Sequence, residues 1–544
     1  MVNSLIALLH IQIIAIALLA TVFIASAAFA TFQISYAQQI PGSFEELVTY
    51  EKDSSFIREY PLDVEQPGLR GVTTDSEGNV WAIYSTNKTT TIIRLEPQSG
   101  KLTEYHVGGD TQADDAVINL AAGQLTFDRL RNVVWFTDAR TNSIGKLDLA
   151  NNKVDLLQIP NGMAGPMGLA LSQDNASLWF TEITGDKIGR VDIESLKITE
   201  YLVGQDSGPT LLTFDDKGIL WVTLSFSNSI LRVDTQALTS GQSSAMTELR
   251  LLGEDTFSPF GIAVVDDKVY ISDHGSSRIV VADTGFANHQ SYWTTPAVAF
   301  PASLPSQVVA DKYGNIYFPQ HGGNRISMID NATGVMTEYE IPTGPLATAV
   351  FIAASDDGKV WFTEWAANKI AYLDTTAKAP FTIGVEKTTV TLDTDTPQSI
   401  GVSLNSSVGG TDSVSILQVE IGLTGMTESG LKGVTYEAQP PRVNLQQTGS
   451  AESQIQISTL ENAIPGDYVA MVRAFAPEQD GLVVSKLYPV ELVLDVPEPI
   501  ASQDSNQPQN ADTTLQNALR IGAPLAAAGL IAVAIYRWKR ARKS

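Results

Sequence analysis

The chain contains no cysteine in its 544 residues. That removes disulfides, zinc–thiolate centres, iron–sulfur clusters and cysteine nucleophiles together. Positive charge is scarce, with 35 Lys and Arg against 60 Asp and Glu and a net charge of −25. Phosphate backbones need clustered cations, so a nucleic-acid partner is excluded. The sequence also lacks a Gly-x-Ser-x-Gly elbow, a phosphate-binding loop, a His-Glu-x-x-His pair and a dinucleotide fingerprint. What is present is ordinary for a folded protein. Hydrophobic residues make up 44% of the chain, which argues against wholesale disorder and against a polytopic membrane protein. The length fits about three to four domains.

The two ends differ from the middle. The first charged residue is Glu45, and Leu5 to Ala30 is almost wholly apolar. Small residues at Ser35 and Ala37 suit a signal peptidase, so residues 1–37 are expected to be a signal peptide or a signal anchor. At the other end, Ile521 to Tyr536 carries no charge and is followed by Arg537, Lys539, Arg540, Arg542 and Lys543. Such a run predicts a transmembrane helix over 518–538 with a basic cytoplasmic tail at 539–544. Residues 1–519 then hold 29 Lys and Arg against all 60 acids, a balance of −31. That charge favours solubility outside the membrane and repels anionic head groups.

Between residues 67 and 378 the sequence repeats itself. A short aromatic strand recurs seven times, at Trp81, Trp135, Trp179, Trp221, Tyr270, Tyr317 and Trp361. In six copies an Ile follows nine positions later, from Ile144 to Ile370, and an acid four positions after that, from Asp148 to Asp374. Each copy reads as four strands with a turn such as Asp215-Asp-Lys-Gly218. Four-stranded units at this spacing predict an all-β, seven-bladed β-propeller over 45–378. The seventh copy lacks a fourth strand, and Phe56 to Leu62 matches that strand's pattern. The N-terminal segment is therefore expected to complete the last blade, pairing two edges that would otherwise be open.

From Phe381 the aromatic repeat stops and period-two alternation begins, as in Thr388 to Leu392 and Gln454 to Ile457. This predicts an immunoglobulin-like β-sandwich over 380–496. Residues 497–517, rich in Pro, Gln, Asn and Ser, read as a flexible stalk.

The units Trp361-Phe-Thr-Glu-Trp-Ala-Ala-Asn-Lys-Ile370 and Trp179 to Arg190 resemble those of the virginiamycin B lyase (streptogramin lyase) family of seven-bladed propellers. The resemblance covers roughly residues 56–376. It implies an elimination that opens a cyclic peptide ester, with a His base and a Mg²⁺ ion that stabilises the enolate. It also implies a metal-associated Glu, which Glu364 matches. The positions at which the family carries its His are held here by Val350 and Ser306.

Asp138, Glu182, Asp273, Gln320 and Glu364 share one repeat position. In a closed ring they are expected to form part of an oxygen-lined mouth, with Asp138, Glu182, Asp273 and Glu364 as ligands for Mg²⁺ or Ca²⁺. The other reading pairs each acid with a basic residue of its own blade, such as Glu182 with Lys187 or Glu364 with Lys369. His274 and His321 follow this position by one residue, each before a Gly. With Glu364 they are the candidate catalytic residues, and the other reading makes them solvated turn residues. The chain thus reads as a membrane-anchored propeller that takes a small molecule, a glycan or a protein at its mouth. The alternatives are a lyase or lactonase acting on an external cyclic ester, and a structural envelope component.

Overall fold

A computed structural model describes residues 56–497, apart from 65–67, 87–88, 109–122, 251–257, 287–288, 295–301, 345–346, 395, 408–416, 425–432, 447–448 and 480–481. The expected signal segment, almost all of the stalk, the transmembrane helix and the basic tail lie outside the described residues. Among the described residues no helix is long and apolar enough to cross a membrane.

Seven four-stranded antiparallel units follow one another along the chain, six of them as separate sheets and the sixth as part of a nine-stranded sheet. The third is typical: Pro166–Leu171, Ser177–Glu182, Lys187–Asp192 and Ile198–Leu202 pair in sequence order. Its second strand is buried along its whole length. Adjacent residues of a strand face opposite ways, and both faces of this strand meet another blade. Trp179 packs against Leu212, Val222 and Val233 of the fourth blade. Phe180 packs against Trp135 and Ile144 of the second. A Trp–Phe pair in the middle of a strand is stable only where both faces are covered, and a ring of blades provides that.

The glycine in Asn-Lys-Ile-Gly-Arg has a packing reason. Gly189 lies opposite Phe180 across the ladder, and a Cβ there would stand 1.9 Å from the Phe180 ring. Gly145 and Phe136 repeat the arrangement in the second blade, at 2.0 Å. The aromatic ring occupies the space of the missing side chain.

The last sheet is closed by the N-terminal strand. Ile57–Pro61 pairs antiparallel with Lys369–Asp374, from Ile57 opposite Leu373 to Pro61 opposite Lys369. The closing strand thus comes from the start of the chain and the other three from its end.

Two further sheets enclose a separate apolar core that includes Phe381, Leu392, Ile400, Val419, Ile455, Ala470 and Leu492. One contains Phe381–Val385, Gln398–Ser406, Ser450–Thr459 and Val434–Gln439. The other is built on Gly466–Gln479 and Leu482–Leu494. Sequence reading gives this sandwich as a second domain after the propeller, and the structure joins the two directly. Leu482–Leu494 pairs with Met336–Glu340, the outer strand of the sixth blade, from Met336 opposite Leu487 to Tyr339 opposite Val484. One sheet therefore runs from the propeller into the sandwich and covers an edge that would otherwise invite foreign strands. Met471 and Leu487 of the sandwich pack with Tyr292, Phe318 and Met336 of the propeller.

Candidate ligand site at the propeller mouth

The start of the first strand lies opposite the end of the second, as with Pro166 and Glu182, Pro209 and Leu224, Pro259 and Asp273, or Ala349 and Glu364. The residues at these points, and the turns that follow them, therefore lie at one end of the ring. A hydroxyl belt fixes the first strands to one another. Thr181 Oγ1 accepts from the backbone N–H of Gly168 in its own blade, at 2.7 Å, and donates to the Thr210 carbonyl of the next, at 2.6 Å. Thr223 accepts from Leu211 N–H at 3.0 Å and donates to the Phe260 carbonyl at 2.8 Å. Thr137 accepts from Gln124 N–H at 2.9 Å and donates to the Met167 carbonyl at 2.9 Å. Thr363 donates to the Arg70 carbonyl and so joins the seventh blade to the first. The Thr of the Trp-Phe-Thr-Glu unit is the hinge of this belt, and sequence reading passed over it. Its recurrence beside the aromatic pair was the available signal.

The belt defines equivalent inner positions: Arg70, Met167, Thr210, Phe260, Ser306 and Val350. Several of them meet in an apolar cluster contributed by different blades. Met167, Ile183, Leu211 and Phe351 are buried in it, and Ala139, Phe226, Phe260 and Val350 pack against them. Side chains from five blades come together only around the axis. The mouth is thus lined by hydrocarbon along much of its rim.

The acid ring is corrected by the structure. Strand alternation turns Thr181 toward the next blade's inner strand and Glu182 the other way. Glu182 accepts from Asn161 Nδ2 at 3.1 Å and lies beside Glu200, which Lys187 holds at 3.2 Å. Asp273 takes Arg278 Nε at 2.9 Å. Asp138 accepts from Thr90 Oγ1 at 3.1 Å and Thr141 Oγ1 at 2.7 Å, with Arg140 at 3.6 Å. Gln320 donates to Ser327 Oγ at 2.6 Å and Glu338 at 2.8 Å. Glu364 is fully buried beside Glu59, Thr343 and Lys369, and Lys369 Nζ lies 2.8 Å from Glu59. Asp138, Asp273, Gln320 and one oxygen of Glu182 are thus held by nearby polar groups, while both carboxylate oxygens of Glu364 are buried without a hydrogen-bond partner.

This donor set does not fit a divalent cation. Among the described residues, no three His, Asp or Glu side chains converge on one point. Burial raises the Glu182 carboxyl to about 8, and burial together with Glu59 raises Glu364 well above the ordinary carboxylate range.

The two histidines are not solvated turn residues. His274 and His321 are only 8% and 7% exposed, and their rings lie edge to face at 4.8 Å. His274 stacks on Phe260 at 5.5 Å, and its Nδ1 lies 3.0 Å from the Pro305 carbonyl. That contact places the proton on Nδ1 and leaves Nε2 as the acceptor. Neither ring nitrogen of His321 has a hydrogen-bond partner. Burial lowers the pKa of both imidazoles, His321 well below its ordinary value with help from His274, so both are neutral at pH 7. The histidine positions of the lyase resemblance remain without imidazole. Val350 packs on the axial cluster, and Ser306 Oγ donates to the Pro319 carbonyl at 3.2 Å.

A ring of seven four-stranded blades closed by its N-terminal strand, with a narrow axial mouth, defines a β-propeller. The Virginiamycin B lyase family model matches residues 55–342, more than half of the chain, and the chain belongs to that family. Virginiamycin B lyase of Nocardia farcinica (strain IFM 10152) is 24% identical over 220 residues, covering 40% of this chain and 70% of that protein. A solved streptogramin B lyase is 26% identical with a TM-score of 0.49, covering 58% of this chain and 97% of its own. A catalytically inactive virginiamycin B lyase from Staphylococcus aureus, solved with quinupristin, is 24% identical with a TM-score of 0.49, covering 58% and 98%.

Proposed function

We propose that the chain is a membrane-displayed binding protein whose propeller mouth takes a small molecule, a glycan or an exposed group of another protein. The axial cluster of Met167, Leu211, Phe226, Phe260, Val350 and Phe351 carries this reading. Its partly exposed members Phe226, Phe260 and Val350 offer apolar surface, and apolar surface with a few polar groups beside it is suited to binding. Val350 and Ser306 hold the positions at which the family resemblance calls for a base, so substrate-proton abstraction from that side has no acceptor. Display outside the cell rests on the uncharged run at 521–536, the basic tail after it and the acidic balance before it. Calorimetry with 1-naphthylacetamide, a neutral aromatic probe, tests the mouth. Phe260→Ala is expected to weaken its binding roughly tenfold. Binding untouched by Phe260→Ala and Met167→Ala would refute the reading.

A second reading is favoured by the histidine pair. His321, neutral and free at both nitrogens, is a competent proton acceptor for elimination or hydrolysis of a cyclic ester entering beside Phe260. Incubation with a streptogramin B and mass spectrometry for the linear product decides it. Linear product that disappears in His321→Ala supports the enzyme. Intact cyclic compound after prolonged incubation removes it.

A further inference from the structure

The binding reading leaves the charge of the ligand open, and one residue bears on it. Arg70 is the first-blade counterpart of Met167 and Phe260, as the belt shows: the Thr363 hydroxyl donates to its carbonyl as Thr137 does to Met167 and Thr223 to Phe260. An arginine is therefore built into a position that Met167, Phe260 and Val350 hold with hydrocarbon in three other blades and Thr210 and Ser306 hold with hydroxyls in two more. It is 6% exposed, and its Nε has no hydrogen-bond partner. No ion pair to Arg70 occurs among the described residues, although the chain carries 60 acids. A guanidinium withdrawn from water without an anion is costly, and folded proteins avoid it unless something else supplies the charge.

The neighbouring blades continue the theme. The position after the second strand holds Trp365 in the seventh blade, His321 in the sixth and His274 in the fifth. The Trp365 indole N–H is buried with no hydrogen-bond partner, as are both nitrogens of His321. The same position holds Ala139 in the second blade and Ile183 in the third, and both belong to the apolar cluster. The mouth thus mixes two kinds of group. Blades five, six, seven and one carry nitrogen groups, including one fixed cation. Hydrocarbon comes from blades two to five and from Val350 and Phe351 of the seventh. Burial alone draws the guanidinium pKa down to about 10, which still leaves it charged at pH 7.

We propose that the mouth is an anion site, and that its ligand joins an apolar body to a carboxylate or similar oxyanion, which Arg70 anchors while the body lies against Phe260, Met167 and Leu211. The proposal rests on the binding reading above and adds the ligand's charge. Arginine is the residue suited to this task, because its planar fork meets a carboxylate with two parallel bonds.

The test compares 1-naphthylacetate with 1-naphthylacetamide, which differ little except in charge. Both are titrated calorimetrically into the full-length chain in lipid nanodiscs, with empty nanodiscs as the blank. The acid is expected to bind at least about tenfold more tightly than the amide, the effect of one charged hydrogen-bonded pair. Arg70→Gln should bring the acid down to the amide's affinity and leave the amide unchanged. Arg70→Lys should retain part of the preference. Phe260→Ala should weaken both. Equal binding of acid and amide to the wild-type chain overturns the anion assignment without needing any variant, and the mouth reading survives if Phe260→Ala still weakens both. A preference for the acid that persists in Arg70→Gln overturns Arg70 as the anchor. Failure of both probes to bind overturns both readings. The melting temperature separates ligand anchor from structural strut. Arg70→Met should hold or raise it if the cation awaits a ligand, and a marked fall would assign Arg70 to the fold.

Discussion

The hydroxyl of Thr363, in the seventh blade, donates to the carbonyl of Arg70, in the first. Those two residues are 293 positions apart in sequence, and their contact closes the inner side of the ring. The ladder between Ile57–Pro61 and Lys369–Asp374 closes the outer side. The same hydroxyl bond joins the second blade to the third, the third to the fourth and the fourth to the fifth. The same contact therefore recurs at four of the seven junctions between blades, and one unique strand closes the ring.

Thr363→Val keeps the shape of the side chain and deletes the hydroxyl. The Arg70 carbonyl then loses its donor in a buried place, at a cost of about 1–3 kcal/mol. Thr363→Ser should restore most of it. Urea denaturation of the three proteins checks the ordering, and an unchanged midpoint in Thr363→Val would show that the closure lies wholly in the strand.

Gly189→Ala adds a methyl group where the Phe180 ring already stands, 1.9 Å from the ideal Cβ. Either the ring leaves its rotamer or the third strand shifts, and overpacking of this kind costs about 1–3 kcal/mol. Gly189→Ala combined with Phe180→Leu should recover part of the loss. Thermal melts of the single and double variants measure it.

Stability should fall with rising pH through Glu182. Its folded pKa of about 8 lies above the ordinary 4.5, so the folded state holds the proton more tightly than the unfolded chain does. The resulting stabilisation is fully present below 4.5 and is lost as pH rises through about 8. Glu364 acts in the same direction. Glu182→Gln, which cannot ionise, should be less sensitive to pH between 5 and 8 than the wild type. Parallel pH profiles of the melting temperature would contradict this account.

The junction between propeller and sandwich contains a partly buried cation with the opposite dependence. Lys486 donates to Thr337 Oγ1 at 2.8 Å, and burial lowers its pKa from 10.5 to about 8. The unfolded chain binds that proton more tightly, so the penalty is fully present below about 8 and is relieved as pH rises toward 10.5. Lys486→Met should strengthen the junction at pH 7, read as slower proteolytic cleavage between the two modules. Faster cleavage would mean that the bond to Thr337 outweighs desolvation.

The blade count, the four-strand unit, the closing strand and the sandwich alternation were all legible in sequence. Each is a local periodicity, and period alone reports which faces are covered. The family membership followed from the same units. The candidate acids were placed correctly in the repeat, and of the two readings the local one named the right neighbours, with Glu182 opposite Lys187 and Glu364 opposite Lys369. Nothing in the spacing of Glu182 or Glu364 tells whether the side chain turns to the axis or to the outer strand, and a displacement of one residue reverses the answer. The histidines were found by position, yet position does not give their contacts: His274 stacks on Phe260 of its own blade, and His321 meets His274 of the neighbouring blade.

The sequence alone determined the ring, because each aromatic strand has two greasy faces and only neighbours on both sides satisfy them. Tertiary structure alone decided what the ring encloses. The character of the mouth depends on which single residue each blade contributes to a shared point, and those residues, from Arg70 to Val350, lie hundreds of positions apart. Their meeting is set by blade angle and by the hydroxyl belt, quantities that no local pattern encodes.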